Sequence, residues 1–158
     1  MRIIADFQIH SRFSRACSKN INLDNLEKYA RIKGIDILGT GDFQHPKWFE
    51  EITKNLEEDD YGILKSKTGF SFLWQTEVSL MYTQDKKGRR IHYLIFSPGL
   101  EISKQIIDKL GKKGRLDYDG RPIFGFSGIE LVEMMMEISK DIEIIGAHVW
   151  TPWFGMFG

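Results

Sequence analysis

Three of the four histidines in this 158-residue chain stand beside other potential metal ligands at strand ends: His10 in ADFQIHSRFS, His92 in RIHYLIF and His148 in IIGAHVWTP. Glu77 joins them from QTEVSL and Asp42 from LGTGDF. Each string is an apolar run that stops at, or passes through, one hard or borderline ligand. Imidazole together with carboxylate suits zinc, manganese or iron rather than calcium, which takes oxygen ligands. A carboxylate such as Glu77 in an apolar strand is costly unless paired or metal-bound. Ligands delivered one per strand from distant parts of a chain predict a metal centre on an α/β scaffold, with metal-assisted hydrolysis as its chemistry. Gln8 lies two residues before His10, on the same side of an extended strand, so both can approach one ion.

Other residues have plainer readings. Taken singly, His92 on an apolar strand is a hydrogen-bonded core residue, and His45 is a structural loop histidine. Arg12 and Arg15 follow His10 closely enough to meet a phosphate, although surface arginines are common. The run Lys86 to Arg90 reads as a solvated turn, and Met134 and Met135 read as core packing. Cys17 is the only cysteine, which excludes an internal disulfide and fits a reducing compartment.

The elements that must carry these side chains follow from periodicity and punctuation. Residues 2–7 form a short apolar run, read as a buried first strand. Asn22 is an N-cap for a helix with Leu23, Leu26, Tyr29 and Ala30 on one face, and Gly34 is its stop. Ile35 to Leu38 make a second strand that empties into Gly39-Thr40-Gly41-Asp42, completing a β-α-β unit. His45-Pro46 opens a helix carrying Trp48, Phe49 and Ile52. Residues 70–82 and 91–96 are rich in strand formers, with Asp85-Lys86-Lys87-Gly88 as a hairpin turn. Ser97-Pro98 starts a helix to about Leu110. Ser127 with Glu130 forms a capping box ahead of Leu131, and Ile142 to Ile145 form the last strand. Strands alternating with helices predict an α/β fold with a mostly parallel sheet and one β-hairpin.

The length is that of one domain, residues 1–158. Twenty-two basic residues balance twenty-two acidic ones, so bulk charge predicts no particular partner. No apolar run reaches the ~18–20 residues of a membrane span, and the N-terminal run is too short for a signal peptide. The reading is a cytoplasmic protein without a membrane segment. A complete eight-fold barrel needs ~250 residues, and the chain ends on exposed-type aromatics (Trp150, Trp153, Phe154, Phe157). The expectation is a domain incomplete at its C-terminus, completed by the other half of a barrel or by another chain.

The string ADFQIHS resembles the opening D-x-H-x-H motif of PHP domains, named for polymerase and histidinol phosphatase. Asp6, Gln8 and His10 match it, with glutamine in a usual histidine place. Thr40-Gly41-Asp42 loosely matches the second motif, T-D-H. Glu77 corresponds to the family's bridging glutamate, and His92 and His148 to two later histidines. Within that superfamily, HSRFSRACSK, KGIDILGTGDFQHPKW, TEVSL, DGRPIFGFS and GAHVWTPWF resemble the N-terminal PHP region of endonuclease Q, in order and over nearly the whole chain.

The resemblance implies a partial PHP-type distorted (β/α) barrel around several divalent ions, zinc foremost, with manganese or magnesium as alternatives. It implies metal ligation by Gln8, His10, Asp42, Glu77, His92 and His148, with Glu77, Asp42 and His10 as the catalytic set. Glu77 would bridge two ions, Gln8 and His10 holding one, and His92 and His148 the other. Arg12, Arg15, Arg121 and Trp150 would contact DNA, and Trp153 would stack with Trp150 on an extruded base. The implied activity is a DNA-repair cut 5′ to a deaminated base, uracil or hypoxanthine, or at an abasic site. Two alternatives are a small-molecule phosphoesterase of the same superfamily and a non-catalytic fragment that needs a partner.

Overall fold

The computed structural model describes residues 2–157. Strand β1 (Ala5–Asp6), helix α1 (Leu23–Ile32) and strand β2 (Ile37–Gly39) form the expected β-α-β unit, with β1 parallel to β2. Asn22 accepts the Asn25 amide at 2.8 Å to cap α1. At the other end Gly34 takes φ +70°; its amide reaches the Arg31 carbonyl and the Ile35 amide reaches that of Ala30. That pair of bonds is a Schellman motif, which a residue without Cβ adopts at little cost.

Helix α2 (Pro46–Asn55) begins at Pro46 and buries Trp48 and Ile52 fully. Three short strands follow, β3 (Glu57–Glu58), β4 (Leu64–Lys65) and β5 (Ser71–Leu73). After Trp74 the chain enters β6 (Gln75–Gln84), turns, and returns as β7 (Lys87–Phe96). Helix α3 (Leu100–Gly111), strand β8 (Ile123–Phe124), helix α4 (Gly128–Ile138) and strand β9 (Glu143–Gly146) complete the order. The Ser127–Glu130 capping box is present at α4, and Leu131, Met134 and Met135 are core residues.

The strands form two sheets, ordered β1-β2-β5-β4-β3 and β8-β6-β7-β9. The α/β class stands, but both sheets are mixed rather than mostly parallel. Pairs β1–β2, β2–β5 and β6–β8 are parallel, whereas β3–β4, β4–β5, β6–β7 and β7–β9 are antiparallel. Short connections explain the β3–β4, β4–β5 and β6–β7 pairs, because a parallel return needs a crossover of a dozen or more residues, whereas β9 reaches β7 only after α3, β8 and α4. For the same reason β3, β4 and β5 add hairpins to the single one expected. Among the described residues the sheets do not close into a barrel.

The long hairpin turns on Asp85 and Lys86 (φ 51° and 61°), not on Gly88. Two consecutive left-handed residues define the type I′ turn that matches strand twist. Strand β1 is shorter and more exposed than the run of residues 2–7 predicts. It lies at a sheet edge with β2 as its partner, so Ile3 is 63% and Ile4 42% exposed. Among the described residues no helix is long and apolar enough to cross a membrane.

Candidate metal centre

The register of the long hairpin sets the centre. Ser79 lies opposite His92 and Glu77 opposite Leu94, so Glu77 and His92 are diagonal neighbours on one face. Glu77 Oε1 lies 2.9 Å from His92 Nδ1. His148 arrives from the next strand: the Ala147 amide donates to the His92 carbonyl at 2.9 Å, and His148 then turns inward at φ 33°. The Thr151 hydroxyl lies 3.0 Å from His148 Nδ1, which leaves Nε2 facing the cluster, 3.2 Å from His92 Nδ1. An outer hydrogen bond on the second ring nitrogen is how a ligating histidine is oriented.

The second carboxylate oxygen of Glu77 serves another group. Glu77 Oε2 is 3.5 Å from His10 Nε2 and accepts from Gln8 Nε2 at 3.2 Å. One buried carboxylate thus joins a His92–His148 side to a Gln8–His10 side. Arg121 Nη1 stands 3.4 Å from Oε1 and adds a cation at the rim.

Behind His10 lies Asp42, fully buried at φ 45°. Its Oδ1 is 2.8 Å from His10 Nδ1. Its Oδ2 accepts from the Ser11 amide (2.6 Å), the Ser11 hydroxyl (2.7 Å) and the Ser14 hydroxyl (2.9 Å). Asp42 therefore stands one step back from Glu77, with its oxygens occupied by protein donors. Close backbone approach makes this possible. A Cβ on Gly41 (φ +65°) would lie 2.9 Å from the Ile9 carbonyl, and one on Gly120 would overlap Asp42 and Ser14. The Trp48 indole N–H donates to the Gly41 carbonyl at 2.7 Å, fixing the loop after β2.

Electrostatics tie the cluster together. Burial opposes charge on His10, yet its hydrogen bonds to Asp42 and Glu77 outweigh that and raise it to about 9. Burial would likewise raise Glu77, but hydrogen bonds from His10 and His92 hold it well below the usual carboxylate range. Without a metal, then, a proton on His10 balances the acids beside it.

The donor set fits a divalent ion. One ligand atom each from Glu77, His92 and His148 lie within 4.8 Å of one another. A tetrahedral zinc with bonds of ~2.0–2.2 Å sets its ligands about 3.3–3.6 Å apart. The 2.9 and 3.2 Å separations around His92 are close to that spacing.

The remaining sequence candidates lie further out. Arg12 gives its guanidinium to the Glu51 carboxylate and the Ile21 carbonyl, and lies over Phe13 and Trp48. Arg15 is exposed and pairs with Asp119 at 3.3 Å. Trp150 is 80% exposed and leans on Phe157. His45 stacks on Phe13 at 4.1 Å and makes no side-chain cap to α2. Burial and the Asp42 charge push the Cys17 thiol up, which argues against an activated nucleophile. Sequence reasoning missed Ser11, Ser14 and Gly120 as the cradle of Asp42. The serines follow His10 directly in HSRFS, but nothing in that string names their acceptor 28 to 31 residues away.

No family model matches the chain. It is 33% identical over 149 residues to an uncharacterised protein of Methanocaldococcus jannaschii, an alignment covering 93% of this chain and 16% of that protein. The crystal structure of a lesion-specific endonuclease Q from Pyrococcus furiosus superposes with a TM-score of 0.84 at 29% identity, over 98% of this chain and 36% of that one. Endonuclease Q bound to a 27-mer duplex with an abasic lesion at its active site gives 0.84 at 31% identity, over 96% of this chain and 36% of that one. The chain thus spans about a third of the solved enzymes. In fold and in sequence alike, it is similar to endonuclease Q over that region.

Proposed function

We propose that this chain carries the metal-dependent catalytic region of an endonuclease Q-type DNA-repair nuclease. The reaction is hydrolysis of the phosphodiester 5′ to uracil or hypoxanthine, or at an abasic site. The observation that carries the reading is the convergence of Glu77, His92 and His148 in a fold similar to that of a lesion-specific endonuclease. Divalent ions bound there, zinc foremost, supply an activated water and charge stabilisation of the attacking and leaving oxygens.

Glu77 would hold such ions through its carboxylate, with His92 and His148 as further ligands on one side of it and Gln8 and His10 on the other. Gln8, whose amide ends exchange by rotation, would offer such an ion its oxygen rather than the N–H that now meets Glu77. Asp42 holds the His10 ring, so that Nε2 is the nitrogen presented to Glu77. Arg121, at the rim, meets the non-bridging phosphate oxygens, and exposed Arg15 and Trp150 extend the DNA contact. Arg12 contributes through its Glu51 pair by holding the loop that follows His10. The lone thiol fits a reducing, cytoplasmic setting.

The test is cleavage by the metal-loaded chain of duplexes carrying uracil, hypoxanthine or an abasic site, beside an undamaged duplex and a phosphomonoester. Glu77→Gln and His148→Ala serve as controls, with bound metal measured by mass spectrometry. Lesion-dependent nicking that both variants abolish supports the reading. Monoester hydrolysis alone points to the small-molecule phosphoesterase. Bound metal unchanged by His148→Ala refutes the centre.

A further inference from the structure

The segment after β9 builds a second feature beside the metal centre. The His92 amide donates to the Phe154 carbonyl at 3.0 Å, and the Phe154 ring stacks on His92 at 4.4 Å. Thr151 organises the turn, its hydroxyl donating to the Trp153 carbonyl at 2.8 Å and lying 3.0 Å from His148 Nδ1. His148 and Phe154 both hold left-handed backbone, at φ 33° and 59°. A side chain at Gly155 would overlap the Thr151 carbonyl. Strained non-glycine residues gathered in one short turn mark a conformation imposed by its surroundings, as at ligand clamps.

Between this turn and the start of β7 lies a cleft of about 380 Å³ lined by Arg89, Arg90, Ile91, Trp153, Phe154 and Met156. That size falls in the ~300–1,000 Å³ range of ligand pockets. Trp153 is 71% exposed and, among the described residues, stacks on no other ring. Arg89 and Arg90 are exposed and form no ion pair among the described residues. Arg90 precedes His92 by two residues, so it shares the sheet face of Glu77 and His92, about 7 Å along the strand.

We propose that this cleft binds a single DNA strand next to the metal centre, with Trp153 stacking on a base and Arg89 and Arg90 meeting its phosphates. An exposed indole beside two unpaired guanidinium groups is complementary to an anionic chain of planar rings, and such pairing is tolerant of sequence. The inference rests on reading the chain as one that acts on DNA, and it adds a strand-binding site to that reading.

The experiment titrates the 158-residue chain with a short oligothymidylate in the presence of EDTA, following tryptophan emission and oligonucleotide anisotropy. Trp153→Ala weakens binding by roughly 5- to 100-fold, and Trp153→Phe keeps most of the affinity. Arg90→Ala lowers the slope of log K against log salt by about 0.7. Far-UV circular dichroism shows that the variants are folded. Wild-type affinity in folded Trp153→Ala, or no binding by the wild-type chain, overturns the proposal. Lesion cleavage by a chain whose strand binding ignores Trp153 would sink the cleft and spare the endonuclease reading. Trp153-dependent binding in a chain that cuts nothing would do the reverse.

Discussion

Asp42→Asn tests the centre at its least visible joint. The three donors on Oδ2, at 2.6, 2.7 and 2.9 Å, oblige the single oxygen of asparagine to take that side. Its NH2 then faces His10 Nδ1, where the carboxylate stood at 2.8 Å. A donor there makes Nδ1 the acceptor and moves the ring proton to Nε2, the nitrogen facing Glu77. His10 can then no longer offer a lone pair to a metal. Loss of such an outer partner costs ~10–100-fold in metal affinity. The three surviving bonds also lose their charge. Bonds to a charged group contribute ~1.5–3 kcal/mol each, and neutral ones are roughly half as strong. The fold therefore loses about 2–4 kcal/mol, a fall in Tm of about 5–15 °C. Chelator-competition titration with zinc reads the affinity, calorimetry the stability, and nitrogen-15 NMR the His10 tautomer. Wild-type zinc affinity with an unchanged tautomer would refute the reasoning, whatever the Tm.

Further outcomes follow from other parts of the structure. With metal removed by chelator, His10 is raised to about 9 from 6.5, so its contribution to stability is complete below about pH 6.5 and is lost as pH climbs through 9. Glu77 is lowered from 4.5, so its contribution is complete above that value and is lost as pH falls below it. Thermal melts of the metal-free chain should be highest between about pH 5 and 6.5, and a flat profile from 6.5 to 10 would contradict the assignment. Lys86→Gly relieves a left-handed residue in the type I′ turn (φ 61°) and should stabilise by about 0.5–1 kcal/mol in urea titration. A loss of stability would count against that turn. Arg12→Ala removes the Glu51 pair and the packing over Phe13 and Trp48. It should lower stability by about 1–3 kcal/mol while leaving the salt dependence of DNA binding unchanged; a reduced salt slope would show a direct phosphate contact instead.

The sequence by itself determined what is local. Asn22 and Gly34 bound α1, Pro46 opens α2, and Ser127 with Glu130 opens α4, because each satisfies or spares backbone groups within a few residues of itself. It also named every side chain of the Glu77–His92–His148 group, since a lone hard ligand in an apolar run is conspicuous. Which ligands meet was implied only by the family resemblance and not by the pattern of residues itself. Glu77 and His92 are neighbours only through the ten-residue register of β6 on β7, and His148 joins them only because β9 pairs with β7. The mixed sheets escaped the pattern because a short apolar run does not state the direction of its partner. Arg12 illustrates the same limit, its spacing from His10 fitting a phosphate contact while the fold brings Glu51 to it first. Asp42 was conspicuous as an acid after a strand, but its place behind His10 depends on Ser11, Ser14 and the bare backbone of Gly120 closing around it. Such long-range closure is set by the packing of the whole chain, which no single string of residues encodes.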